Sequence, residues 1–274
     1  MDAKVFGMKK LLLAIALCVS LVVACATSPT GRRQLMIVSE DSAISASKEA
    51  YVEMLKPYAQ KGQIDNDPAL KKRVYGITGR LIAQAIKIRP ETEKWEWSIK
   101  IIDDPKTVNV WAMAGGKMAL YSGLVIQIKP TDDELAQVLG HEISHALAKH
   151  SAEKMSVGMA SSIGVVAVGI AADRKGLALT GAALAAALAV QKPNSRAAES
   201  EADRIGIELA AKAGYDPRAA ITLWQKMAQV GGKGPPQFLS THPSPDNREK
   251  KLAEYVPEMM PYYEQKGKRP VYNL

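Results

Sequence analysis

His141-Glu142-Ile143-Ser144-His145 constrains this chain more than any other stretch. Two histidines four residues apart on a helix share one face, about one turn apart, so both imidazoles can address one metal ion. Glu142 is turned about 100° from His141 and can reach a water on such an ion. The motif therefore requires a helix, a third ligand and an open side. A bare HExxH also arises by chance, as an exposed helix with two unrelated histidines. Three features weigh against chance: a well-marked helix, a suitable acidic pair further on, and the placement of two of the chain's four histidines in the motif.

The helix has a clear start. Pro130 closes the preceding segment, and Thr131 with Glu134 forms a capping box. Leu135, Val138, Leu139, Ile143, Ala146 and Leu147 form its apolar stripe, flanked by the histidines. One side is expected in the core, with the metal at the border of a cleft. A charge in place of Leu139 is expected to damage folding before chemistry.

The third ligand is Glu199, on a second expected helix from Ser195 to Ala213, capped near Asn194 or Ser195 and stopped by Gly214. Asp203 follows Glu199 at i+4 and shares its face. It lies a turn too far to bind the same ion, and suits a hydrogen bond from a ligand imidazole that fixes tautomer and orientation. The alternative for Asp203 is a solvated helix charge. Glu201 points away from Glu199 and reads as a surface charge. His150 comes five residues after His145, faces elsewhere on a continuous helix, and reads as structural or as support for a ligand.

Two neutral imidazoles and one carboxylate suit Zn²⁺, one ion per chain, and leave a fourth position for water. Glu142 is then the general base that takes a proton from the attacking water and passes it to the leaving amine. His242, in a Pro-flanked loop over Leu239 to Asp246, has three roles open to it: donor to an oxyanion, fourth metal ligand that blocks water, or buried structural histidine.

Elsewhere, helical periodicity runs from Ser39 to about Lys61 and from Asp67 to about Lys87. Trp95 to Ile102 alternates like a half-buried strand. Val108 to Met113 and Lys117 to Tyr121 flank Ala114-Gly115-Gly116 and read as a hairpin. Its strand Asn109, Val110, Trp111, Ala112 and Met113 is expected to edge the cleft and bind an extended peptide through backbone hydrogen bonds. Asp216-Pro217 is expected to open a further helix, and a last helix is expected from near Pro245. Val157 to Ala172 and Gly176 to Val190 are apolar, small-residue segments, each short for a bilayer span. They read as a buried helical hairpin, with a mobile lid or a lipid- or client-contacting surface as alternatives.

The first residues read as an export signal. Lys9 and Lys10 precede the apolar run Leu11 to Val23, which is of signal length. Val22-Val23-Ala24-Cys25 resembles a lipobox, with Cys25 as the lipidated new N-terminus; an ordinary signal with an incidental Cys is the alternative. Cys18 would be removed, which leaves no disulfide in the body. Removing residues 1–24 takes three lysines and one aspartate from a chain of net charge +8 and leaves it basic. No aromatic-interleaved basic stripe argues for nucleic acid. The expected organisation is a signal peptide (1–24), a lipidated tether (25–38), one metallopeptidase domain (39–255) and a short C-terminal extension (256–274).

Four stretches carry a family resemblance: Asn109 to Leu124, His141 to His145, Ser195 to Asp203, and Thr241 to Arg248. They resemble the HtpX and CAAX-prenyl-protease type of zinc metalloprotease, and within it the periplasmic lipoproteins of Gram-negative envelopes. The resemblance implies an α+β, predominantly helical, zincin-like domain with a small β-sheet. It implies His141, His145 and Glu199 as zinc ligands, Glu142 as catalyst, and His242 and Arg248 as further active-site residues. It also implies quality control of misfolded or misassembled envelope proteins from a lipid-anchored, outer-membrane position. The chain departs from integral-membrane members by lacking long spans around the catalytic helix, and from some periplasmic members by lacking a C-terminal repeat domain for docking partners. Two other function classes stay open: a chaperone-like zinc protein that binds unfolded clients without cutting them, and a non-proteolytic zinc hydrolase.

Overall fold

The computed structural model describes residues 25–171, 195–230, 236–243 and 247–274. The expected leader and the segment Gly176 to Val190 lie outside the described residues. The chain starts with a short antiparallel pair, β1 (Cys25–Thr27) and β2 (Arg33–Leu35). Two long helices follow, α1 (Glu40–Ala59) and α2 (Pro68–Ile88), capped by the side chains of Ser39 and Asp67. Then come β3 (Ser98–Ile102), β4 (Val110–Met113), β5 (Lys117–Tyr121) and α3 (Ser122–Ile128). The metal-motif helix α4 spans Asp132–Leu147, and α5 spans His150–Ala171. The remainder is helical: α6 (Arg196–Lys212), α7 (Ala219–Gln229), α8 (Gln237–Thr241) and α9 (Arg248–Glu264). The α+β, mainly helical class is as expected. Among the described residues no helix is long and apolar enough to cross a membrane.

The three-stranded sheet has the order β3-β5-β4, with β3 parallel and β4 antiparallel to β5. Gly115 and Gly116 both have positive φ, as a tight β4–β5 turn demands. Trp95 to Trp97 do not join the strand as expected. The Trp97 N–H bonds back to the Trp95 carbonyl and its indole N–H to the Thr92 carbonyl, which bends the chain before Ser98.

Helix α4 begins with the expected capping box: the Thr131 side chain accepts from the Glu134 N–H, and the Glu134 carboxylate accepts from the Thr131 N–H. The structure corrects the expectation of a helix with one wet side. Every residue from Glu134 to Leu147 is buried, because α2, α6, α7 and β4 enclose the helix. Its polar groups are answered inside: Gln137 donates to the Asp216 carbonyl, and Glu134 pairs with Lys226. Leu135, Val138, Leu139, Ile143 and Leu147 enter the main core with Leu81, Ile99, Leu209 and Leu223. Each such side chain contributes about 1.5–3 kcal/mol of burial before entropy is counted. A second core lies under α1, where Ala43 and Tyr51 pack with Trp111, Ala119 and Met155.

Three further boundaries differ from the sequence reading. Leu239 to Thr241 belong to α8 rather than to the expected loop. Asp216 accepts from the Arg218 N–H in a local turn, and α7 starts only at Ala219. Helix α3 has no counterpart in the sequence reading; it ends at Ile128, and Lys129, with a φ of 49°, caps it.

Candidate metal centre

Helices α4 and α6 meet at two glycines. A Cβ on Gly140 would sit 2.9 Å from the Gly206 carbonyl oxygen, and one on Gly206 would sit 2.8 Å from the His141 nitrogen. This contact lets Glu199, seven residues before Gly206, reach the two motif histidines. His141 Nε2 and His145 Nε2 lie 3.0 Å apart. Glu199 Oε2 is 3.2 Å from the first and Oε1 is 3.4 Å from the second. His242, just past the end of α8, places Nδ1 3.3 Å from His141 Nε2 and 3.1 Å from Glu199 Oε1.

Separations of 3.0–3.4 Å are those of neighbouring nitrogen and oxygen donors that share one zinc ion at about 2.0 Å bond lengths. The donor set and its spacing therefore fit a zinc ion. Donor atoms of His141, Glu142, His145 and His242 also fall within 4.8 Å of one another. Of the two carboxylates, Glu199 touches both motif imidazoles. Glu142 instead meets His242, with Oε1 3.4 Å from its Nε2. Glu199 is thus a corner of the cluster and Glu142 part of its wall.

The electrostatics follow from burial and neighbours. Burial works against charge on His141, but Glu199 and Asp203 outweigh it and push its pKa up to about 9. Burial holds His145 well below the usual imidazole value. Glu199 is held well below the carboxylate range because His242, His141 and His145 overcome its burial. Glu142 is pushed up by burial, only partly offset by His242 and His141. A carboxylate with a raised pKa is a stronger proton acceptor, as a general base requires.

Each motif imidazole is backed on its far side. His141 Nδ1 lies 3.0 Å from Asp203 Oδ1. Asp203 is buried and gripped by Arg248, whose Nε and Nη2 donate at 2.7 and 2.9 Å. Arg248 Nη2 also donates to Glu199 at 2.9 Å, and the guanidinium lies 3.6 Å from the centre of the Trp224 ring. Arg248 thus orients two carboxylates. On the other arm, His145 Nδ1 is 2.8 Å from His150 Nδ1, and His150 Nε2 is 3.1 Å from Glu201 Oε2.

Two sequence readings are corrected here. Glu201 is not a surface charge; it is buried and accepts from Thr30 and Arg32. Those bonds and His150 outweigh burial and hold it far below the carboxylate range. His150 does not face away from His145. The continuous helix assumed in the sequence is broken at Lys149, whose φ of 59° turns the chain so that His150 starts α5 facing His145. No glycine or proline marks that break. Lys154, on α5, is a charged neighbour of Glu199 and Glu142 that the sequence gives no reason to expect there. Burial lowers its pKa to about 8 against the opposing pull of Glu199 and Glu142.

The edge strand β4 packs on α4. Asn109, Val110, Trp111 and Met113 are buried, and only Ala112 is partly open. The Tyr121 N–H donates to the Asn109 carbonyl, so by antiparallel alternation Val110 and Ala112 turn their backbone groups to the free edge. The Val110 N–H is taken by the Asn109 side chain.

A family model described as Peptidase family M48 matches residues 68–256. The Mitochondrial metalloendopeptidase OMA1 of Schizosaccharomyces pombe is 34% identical over 231 residues, 84% of this chain and 65% of that protein. The bovine (Bos taurus) Metalloendopeptidase OMA1, mitochondrial, is 32% identical over 243 residues, 84% of this chain and 46% of that protein. The Beta-barrel assembly-enhancing protease of Yersinia pestis is 30% identical over 205 residues, 72% of this chain and 41% of that protein. The chain thus spans less than two thirds of the length of each of these relatives.

Proposed function

This chain belongs to peptidase family M48, and from that membership we propose that it is a zinc-dependent endopeptidase of the cell envelope that degrades misfolded or misassembled proteins. The observation that carries the proposal is the meeting of His141 Nε2, His145 Nε2 and the Glu199 carboxylate beside a buried Glu142. Those three residues would hold the metal. Zinc held there supplies a Lewis acid for a carbonyl oxygen and acidifies water.

The chain's own groups do the rest. Glu142 accepts a proton from the attacking water and returns it to the departing amine. Asp203 fixes the His141 ring, and Arg248 fixes Asp203 and Glu199. The free edge of β4 receives an extended substrate as an added strand. Because the β4 side chains are mostly buried, recognition through that edge rests on backbone groups and demands an unfolded segment more than a sequence.

The envelope assignment rests on the printed name of the Yersinia relative and on the resemblance to periplasmic lipoproteins. In this reading residues 1–24 are a lipoprotein signal, Cys25 carries the lipid, residues 25–38 tether the metallopeptidase domain of 39–255, and 256–274 extend it. The anchor holds the enzyme on the periplasmic side of the outer membrane. Nucleic acid is not a partner.

One observation favours a second reading, a resting form that binds clients without routine cleavage. His242 Nδ1 lies within 3.3 Å of His141 Nε2 and Glu199 Oε1, close enough to serve as a further ligand in place of the water that hydrolysis requires. Phe238 stacks on the His242 ring at 4.3 Å and steadies it there. The test is metal content and cleavage together. Stoichiometric zinc, with peptide cleavage that a chelator abolishes and zinc restores, supports the enzyme; stoichiometric zinc without cleavage supports the resting binder.

A further inference from the structure

Glu201 receives more bonds than a helix charge needs. Thr30 Oγ1 donates to its Oε1 at 2.6 Å, Arg32 Nε donates to its Oε2 at 2.8 Å, and His150 Nε2 lies 3.1 Å from Oε2. Arg32 has a second hold. Its Nη1 and Nη2 donate to the two oxygens of Glu153 on α5, at 2.7 and 2.6 Å. Gln34, in β2, donates to Glu153 at 2.9 Å and to the Ala148 carbonyl, at the end of α4, at 2.7 Å. One short stretch, residues 30 to 34, thus ties α4, α5 and α6 together around His150.

The ring nitrogens give this cluster a direction. A metal on His145 Nε2 leaves the proton on His145 Nδ1, which can then only donate to His150 Nδ1, 2.8 Å away. His150 then carries its own proton on Nε2 and donates it to Glu201. The tautomers of both rings are fixed by where the metal and Glu201 lie. A neutral imidazole held by a carboxylate is a more basic and better-aimed ligand.

We propose that His150 and Glu201 are positioning residues for His145, and that Arg32 and Thr30 extend this support to the strand pair that begins at Cys25. The inference rests on His145 being a metal ligand. Its consequence is that the segment next to Cys25 is part of the metal site's framework. His141 is supported from α6 and α9, whereas the support of His145 runs through α5 and α6 to residues 30–34.

The test uses the full-length chain and reads zinc affinity by chelator competition, with nitrogen-15 spectra of the histidine rings. The parent is expected to bind one zinc, with His145 protonated on Nδ1 and His150 on Nε2. His145→Ala is expected to abolish tight binding. His150→Ala is expected to weaken zinc by about 10–100-fold, and Arg32→Ala by several-fold in the same direction. His150→Gln can still accept from His145 and donate to Glu201, and is expected to recover most of the loss. Arg73→Ala cuts an ion pair of similar length to Asp132 at the far end of α4, and is expected to leave zinc affinity unchanged. The melting temperature of each metal-free variant separates folding from binding. Zinc affinity within twofold of the parent in both His150→Ala and Arg32→Ala, with His145→Ala defective, overturns the relay alone. So does an Arg73→Ala loss equal to that of Arg32→Ala. A parent that binds no zinc, or a His145→Ala chain that binds it fully, overturns the metal assignment and the relay with it.

Discussion

Gly206 lies against the backbone of His141, so close that a methyl group there would sit 2.8 Å from the His141 nitrogen and 3.0 Å from its Cα. The helix carrying the third candidate ligand can approach the motif helix only because both are bare at this crossing. Gly206→Ala is therefore expected to cost about 1–3 kcal/mol, as overpacking does. It should also weaken metal binding by moving Glu199. Urea unfolding of the metal-free chain and zinc titration check the two parts separately. An alanine variant with unchanged stability and affinity contradicts the crossing as described.

Arg248 is the buried countercharge of Glu199 and Asp203. Arg248→Ala leaves two buried carboxylates without it, and losses of about 3–5 kcal/mol are typical of such a deletion. Arg248→Lys is not expected to rescue, because an ammonium cannot span Asp203 and Glu199 in the same plane while lying on Trp224. Denaturant midpoints of the three chains provide the comparison.

His242 is expected to restrain the enzyme, since its Nδ1 sits among the donor atoms of His141 and Glu199. His242→Ala should raise basal cleavage of an unfolded protein several-fold without loss of zinc. A fall in activity with zinc retained would instead assign His242 to the oxyanion.

The metal-free protein should show a pH signature of His141. Its folded pKa, about 9, lies above the unfolded value of about 6.5. Its protonation therefore contributes stability that is fully present below pH about 6.5 and lost as pH rises through about 9. Asp203 has the opposite sign. Its folded pKa is depressed, so its contribution is present above the unfolded carboxylate value and lost as pH falls through the acidic range. Melting temperatures of the chelated chain across pH 3–10 should fall at both ends, and zinc should flatten the alkaline limb because it replaces the proton. An alkaline limb unaffected by zinc contradicts the placement of the metal on His141.

The parts of this site that were legible in the sequence are those whose causes are local. The capping box at Thr131 and Glu134, the i, i+4 pair in HExxH and the Glu199–Asp203 spacing each follow from helix geometry alone. What escaped depends on neighbours distant in the chain. Glu201 was misread because its helix face points away from Glu199, and nothing nearby says that Arg32 and Thr30 cover that face. The direction in which His150 faces escaped because a left-handed residue at Lys149 ends the helix without a glycine; its role as support for a ligand did not. The burial of α4 on every side exceeds its stripe because its polar residues find partners in α7 and in the Asp216 turn. The Gly140–Gly206 contact has a sequence signal, one glycine in each metal helix, but only the crossing gives it meaning.

The central claim is that Glu142 drives peptide hydrolysis at a site built by His141, His145 and Glu199. Its most direct test is time-resolved cleavage of an unfolded outer-membrane protein by the zinc-loaded chain beside its Glu142→Gln variant. The account predicts cleavage by the parent alone, abolished by a chelator, while the variant keeps its zinc. Equal cleavage by both chains, or none by either with zinc bound one to one, would contradict it.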